Sequence, residues 1–203
     1  MMHARVFGDN ISAGQYVSVI DGAVEWCADS GARVINMSLG YAKDLKASKE
    51  LYKKLTKEGI LVISAAGNRG ISRYEFPASY SDVLSVAAVD KDLRRAHFSN
   101  FNDQVDITAP GEDIYSTVMD SNPISSRLSA SYEKKSGTSM ASPHVAGVAA
   151  KIWAAKPNCS NVEVREALEK TAVDLGKAGR DDYYGHGMVQ AVPAYRYLDN
   201  LGC

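Results

Sequence analysis

The sequence predicts an α/β fold with a doubly wound, mainly parallel sheet flanked by helices, and three observations support it. Short apolar runs alternate with amphipathic stretches along the whole chain. The runs "ILVISAA", "VLSVAAV" and "VDITAP" carry no polar alternation, which marks strands covered on both faces, as in parallel sheets. The stretches between them have helical spacing and stop at glycines such as Gly31 and Gly59, as helices do. The 203 residues suffice for one sizeable core, so residues 1–203 read as a single domain.

The elements follow in order. A short strand is expected over residues 4–7 and a helix over 14–29, with Val17, Ile20, Val24, Cys27 and Ala28 on its apolar face. "VINMSLG" reads as a strand, and a helix over about 45–58 turns Leu51 and Leu55 inward and its lysines outward. The three apolar runs named above supply further strands. Residues 114–118 and 128–135 read as an outlying strand and part of a hairpin around a polar Ser/Asn/Pro loop. A helix follows Ser139, and its run "VAGVAA", apolar on every side, is expected in the interior. Ser160-Asn161-Val162-Glu163 has the spacing of a capping box that opens a helix to about Thr171, and 192–200 reads as a surface helix.

Composition removes several function classes. Lys plus Arg 23 against Asp plus Glu 24 gives a net charge of -1 without a block of like charge, so no nucleic-acid or anionic-membrane partner is indicated. No apolar run approaches the roughly 18 to 20 residues of a spanning helix, and the first residues lack a signal peptide's apolar stretch. No strand is followed by Gly-x-Gly-x-x-Gly, which speaks against a nucleotide-binding module. Cys27 reads as a buried thiol; a pairing of Cys159 with Cys203 stays open.

The stretch "SGTSMASPHVAGVAA" from residue 136 to 150 carries the chemistry. Gly137 permits a close approach, and the helix that follows offers unpaired backbone N–H groups to a developing oxyanion. Pro143 lies four residues beyond Ser139 and so belongs to the first turn. Taken alone, Ser139 is as simply a helix cap. Asn68 adds a second feature: in "ILVISAAGNRG" it follows a buried strand, at the carboxyl end where open α/β sheets bind ligands. Its amide is a candidate oxyanion donor, and a left-handed turn position is the plain alternative.

With these segments in view, the chain resembles the carboxyl-terminal portion of a subtilisin-like serine protease of the subtilase family. "EWCADSGARVINMSLG", "GILVISAAGNRG", "DITAPGEDIYST" and "SGTSMASPHVAGVAA" carry the resemblance in order, and "FPASYSDVLSVAAVD" and "YYGHGMVQA" fit it. It implies Ser139 as catalytic nucleophile and Asn68, with the backbone N–H of Ser139, as oxyanion hole. It implies a substrate-binding edge at Ser38, Leu39 and Gly40, and a specificity pocket at Ala65, Ala66 and Gly67 with Glu75 at its base. An inward Glu75 favours a basic side chain before the scissile bond unless Arg69 neutralises it. The chemistry needs no cofactor. The resemblance allows structural calcium on carbonyls near Ala78, Tyr80 and Val83, and it implies a polypeptide substrate and secretion.

One part of the pattern is missing. The family's order is Asp, His, Ser, and its Asp-[Ser/Thr]-Gly and His-Gly-Thr-His segments are not among these residues. His144 points about 140° around the helix from Ser139, into the packed side, as a core histidine; His97 and His186 read as surface residues, and His3 lies on the opening strand. Asp106 and Asp113 match family positions outside the triad, and Asp21 reads as a solvated helix residue. The chain is therefore expected to be truncated at its amino-terminal side, inactive alone, and in need of the missing segment, a propeptide or another partner to cover its open edges. The alternative is a non-catalytic relative that keeps the cleft as a peptide-binding module.

Overall fold

The computed structural model describes residues 1–6, 15–119 and 130–203. Four parallel strands, β1 (Val34–Met37), β2 (Leu61–Ala65), β3 (Val83–Val89) and β4 (Ile107–Pro110), form one sheet in the order β1-β2-β3-β4. Successive registers such as Val34 opposite Leu61 and Val62 opposite Val83 bring the carboxyl ends of β1 and β2 level. Every residue of β2 and β3 is buried, as unalternating apolar runs require.

Alternate side chains of these strands feed two cores. On one face Ile35, Met37, Val62 and Val83 meet Ile20 and Val24 of α1 (Tyr16–Asp29) and Tyr52 and Leu55 of α2 (Lys46–Lys57). On the other, Leu61, Ile63, Leu84, Val86 and Ile107 meet α3 (Thr138–Ala155), α4 (Asn161–Lys170) and α5 (Ala191–Leu201). Helices on both faces make the sheet doubly wound. Each fully buried Leu, Ile or Val contributes about 1.5–3 kcal/mol, so truncating Leu84 to alanine strikes the centre of the second core.

The ends of the helices follow local chemistry. Gly31, at φ 86°, and Gly59, at φ 85°, take the left-handed conformation just past α1 and α2. Ser160 and Glu163 form the reciprocal capping box at the start of α4. The hairpin joins β5 (Ile114–Met119) and β6 (Ala130–Lys135) in an antiparallel pair; its connecting loop, with Leu128, lies outside the described residues. Cys159 and Cys203 form a disulfide, while Cys27 is free and only partly buried.

Four expectations need correction. Residues 4–6 lie outside any strand, and Phe7 lies outside the described residues. The α3 run "VAGVAA" is buried only on the Val145 and Ala149 side; Gly147 and Ala150 are exposed. There Pro143, Ala146, Gly147 and Ala150 face an open groove of about 1190 Å³, shared with β1, α1 and residues 1–6. Pro143 sits in the second turn of α3, since the helix already begins at Thr138. Asp21 is not a solvated helix residue: it accepts the Ser48 hydroxyl at 2.6 Å across the α1–α2 contact, and burial raises its pKa.

Candidate active site

The carboxyl ends of β1 and β2 and the first turn of α3 meet at one place. After β1 come Ser38, Leu39 and Gly40; after β2 come Ala66, Gly67 and Asn68. Ser139 is the second residue of α3 and half-buried, so its side chain stands at the mouth of the helix. There it exchanges two hydrogen bonds with Ser38. The Ser38 hydroxyl donates to the Ser139 carbonyl at 2.8 Å, and the Ser139 hydroxyl donates to the Ser38 carbonyl at 3.3 Å. The first bond has a helical cause: Pro143 has no N–H with which to claim that carbonyl. Behind the pair, Ser142 donates to Asn36 at 2.7 Å and Asn36 donates to the Ser38 hydroxyl at 3.2 Å.

Asn68 is oriented by Thr138. Its Oδ1 accepts the Thr138 N–H at 2.8 Å and the Thr138 hydroxyl at 2.9 Å, and the same hydroxyl accepts the Gly67 N–H at 3.1 Å. With Oδ1 claimed twice, Nδ2 is turned toward Gly137, where a built Cβ would stand 3.3 Å from it. Neither Nδ2 nor the backbone N–H of Ser139 has an acceptor among the described residues. Two free donors therefore converge on the space beside Gly137, 3.3 and 3.6 Å from a Cβ built there, at the positive end of an 18-residue helix.

The walls of the cleft converge on Glu75. Its Oε2 lies 3.7 Å from a Cβ built on Gly40, and its Cγ lies 2.9 Å from one built on Gly67. The side chain, 13% exposed, is shared between Arg69 and Arg73, each with Nε at 3.4 Å from Oε1. The pairing with Arg73 is absent from the sequence reading. Ala65 and Ala66 are buried behind this wall at 5% and 2% exposure, and Leu39 packs partly against the α1–α2 core.

No imidazole or carboxylate is bonded to Ser139 among the described residues. His144 is exposed, contrary to expectation, and its Nδ1 is bonded to the Met140 carbonyl one turn earlier at 2.8 Å; the helix face it occupies borders solvent. His97 lies exposed in a turn, and His186 is half-buried.

In the loop considered for calcium, two carbonyls already accept protein donors. The Tyr80 carbonyl accepts the Val83 N–H at 2.9 Å, and the Ser81 carbonyl accepts Arg165 at 3.0 Å. The same guanidinium pairs with the partly buried Asp106 at 3.1 Å. Among the described residues, the cluster with three metal-capable side chains is Cys159, Glu163 and Cys203, and its sulfurs are spent on each other.

Three residues at this site escape a reading of the sequence: Arg73, Thr138, although it adjoins Ser139, and Asn100, which braces the Asn68 loop. Only Thr138 had a signal, its place within the "SGTSMA" string.

Comparison with known proteins points to one family and one fold. The subtilase family model (Peptidase S8) matches residues 1–187. Subtilisin DY of Bacillus licheniformis is 39% identical over 186 residues, covering 90% of this chain and 63% of the relative. Subtilisin BL of Lederbergia lenta is 37% identical over 180 residues, covering 89% of this chain and 62% of the relative. The chain thus spans under two thirds of these relatives. The crystal structure of the psychrophilic subtilisin-like protease Apa1 from the Antarctic psychrotroph Pseudoalteromonas sp. AS-11 superposes with a TM-score of 0.81 at 26% identity, covering 89% of this chain and 74% of that one.

Proposed function

Because this chain belongs to the subtilase family, we propose that it carries the nucleophile and oxyanion hole of a serine endopeptidase, with Ser139 forming the acyl-enzyme. The carrying observation is the pair of unclaimed donors, Asn68 Nδ2 and the Ser139 N–H, converging beside Gly137 at the start of the helix that bears the half-exposed hydroxyl. As the carbonyl carbon of a peptide turns tetrahedral, its oxygen gains charge and takes both donors. Removing such an asparagine donor from a subtilisin costs about 100- to 1000-fold in turnover. The Ser139 proton needs an acceptor, because a neutral hydroxyl is a weak nucleophile. That acceptor is a histidine, held by an aspartate, on a segment that docks along the edge of β1 left unpaired among the described residues and the groove beside α3.

The substrate is an extended polypeptide. Its backbone adds along Ser38, Leu39 and Gly40, and the side chain before the scissile bond enters between that edge and Ala65, Ala66 and Gly67, above Glu75. The acyl transfer draws on side chains and backbone alone. The disulfide between Cys159 and Cys203 supports work in an oxidising, extracellular setting, and no helix among the described residues is long and apolar enough to cross a membrane.

A fluorophosphonate probe tests the proposal. The full-length protein should be labelled at Ser139, its Ser139→Ala variant should not, and residues 1–203 alone should react at least about 1000-fold more slowly for want of a base. An intact full-length protein that refuses the probe would leave the peptide-binding module as the reading that stands.

A further inference from the structure

Asn100 belongs to the segment between β3 and β4 and is completely buried, at 0% exposure. Its carboxamide makes two bonds into the loop that presents Asn68. Nδ2 donates to the Ala66 carbonyl at 3.1 Å, and Oδ1 accepts the Arg69 N–H at 2.9 Å. Its own backbone N–H donates to the Gly67 carbonyl at 2.9 Å. One residue therefore grips both flanks of Asn68 without bonding Asn68 itself.

The grip is anchored from behind. The Ser99 hydroxyl accepts the Ala88 N–H of β3 at 3.0 Å and donates to the Asn100 carbonyl at 3.2 Å. The loop is shaped to admit the carboxamide: a Cβ at Gly67 would fall 2.3 Å from Asn100 Nδ2. Few side chains serve here. The site needs a donor toward one carbonyl and an acceptor for one N–H at a single short reach, which an amide supplies. A carboxylate would face the Ala66 carbonyl with like charge.

We propose that Asn100 is a positioning residue for the oxyanion hole, setting from the main-chain side the height at which the Asn68 amide meets the developing charge. Thr138 fixes the rotation of that amide; Asn100 fixes where its backbone stands. The proposal rests on the oxyanion role given to Asn68 above. Donors of this kind act at about 2.7–3.1 Å from the oxyanion, and a misplacement of about 1 Å costs on the order of 100-fold.

The test is a double-mutant cycle in the full-length protein, reading kcat and KM on a chromogenic peptide substrate. Asn100→Ala should lower kcat about 10- to 100-fold with KM within about threefold. In an Asn68→Ala background the same change should lower kcat by less than about threefold, because no amide remains to misplace. An equal loss in both backgrounds, or no loss in the first, overturns the positioning role and leaves the oxyanion reading intact. An Asn68→Ala variant with unchanged kcat overturns both. If Asn100→Ala does not fold, Asn100→Asp, which keeps the volume and the acceptor for Arg69, is carried through the same cycle under the same criteria.

Discussion

Arg165→Ala removes a guanidinium that reaches three acceptors: Asp106 at 3.1 Å, Glu169 at 2.7 Å and the Ser81 carbonyl at 3.0 Å. Asp106 then keeps only the Ser85 N–H at 2.8 Å. Burial already raises the Asp106 pKa, and the charge of Arg165 and that N–H offset this only in part. Burial alone would lower the arginine pKa, but the charges of Asp106 and Glu169 outweigh it. Breaking a buried pair costs about 3–5 kcal/mol. With side chains still 24% and 14% exposed, we take the lower end, about 3 kcal/mol, or a fall of roughly 6–12 °C in Tm for a domain of this size. A carboxyl whose folded pKa lies above its unfolded value binds its proton more tightly when folded. Its contribution to stability is therefore lost as pH rises from the ordinary value through the raised one. Without Arg165 that window extends upward, so the deficit should be largest at neutral pH and should shrink toward about pH 5. Thermal unfolding of wild type and variant at both pH values measures this, and Asp106→Asn in the same chain should recover most of the loss. An identical deficit at both pH values, with no recovery from Asp106→Asn, would refute charge burial as the cause and leave only lost packing.

Three further outcomes are expected. Gly67→Ala forces a Cβ to 2.3 Å from Asn100 Nδ2 at a φ of 105°; it should cost about 3 kcal/mol or more of stability and abolish probe labelling, and a variant with normal labelling would contradict the described loop. Glu75→Gln leaves Arg69 and Arg73 unpaired at the cleft, so cleavage after acidic side chains should rise relative to wild type across a peptide series, while wild type itself should show no preference for lysine or arginine over leucine. Reducing the disulfide, which closes a sequence separation of 44, should lower unfolding stability by about 2–4 kcal/mol, seen as a shift in urea midpoint on adding reductant.

The sequence made the fold largely legible because its signals are local. The unbroken apolar runs of β2 and β3 and the Ser160–Glu163 spacing each specify an element without reference to distant residues. Ser139 and Asn68 were singled out by the elements adjoining them, and the roles expected of them came from the resemblance of the surrounding segments to the family. What escaped depends on contacts across the chain. Nothing near Asn100 shows that its carboxamide will reach Ala66 and Arg69, 34 and 31 residues away. Asp21 borders the apolar face of α1, one turn from Val17, and its partner Ser48 comes from α2, 27 residues away. The "VAGVAA" run was misread because an apolar composition does not reveal whether a neighbour lies against each side, and here one side of α3 borders the open groove; His144, exposed on another side of the helix, has no neighbour among the described residues to pack it either.

The reciprocal bonds between Ser38 and Ser139 rivet the rim of the sheet to the first turn of α3. A displacement of that rim reaches the Ser139 oxygen directly, through the bond its hydroxyl donates to the Ser38 carbonyl. Engineering of the Ser38–Gly40 stretch for new selectivity therefore retunes reactivity at the same stroke, and the two traits will travel together among variants of this stretch.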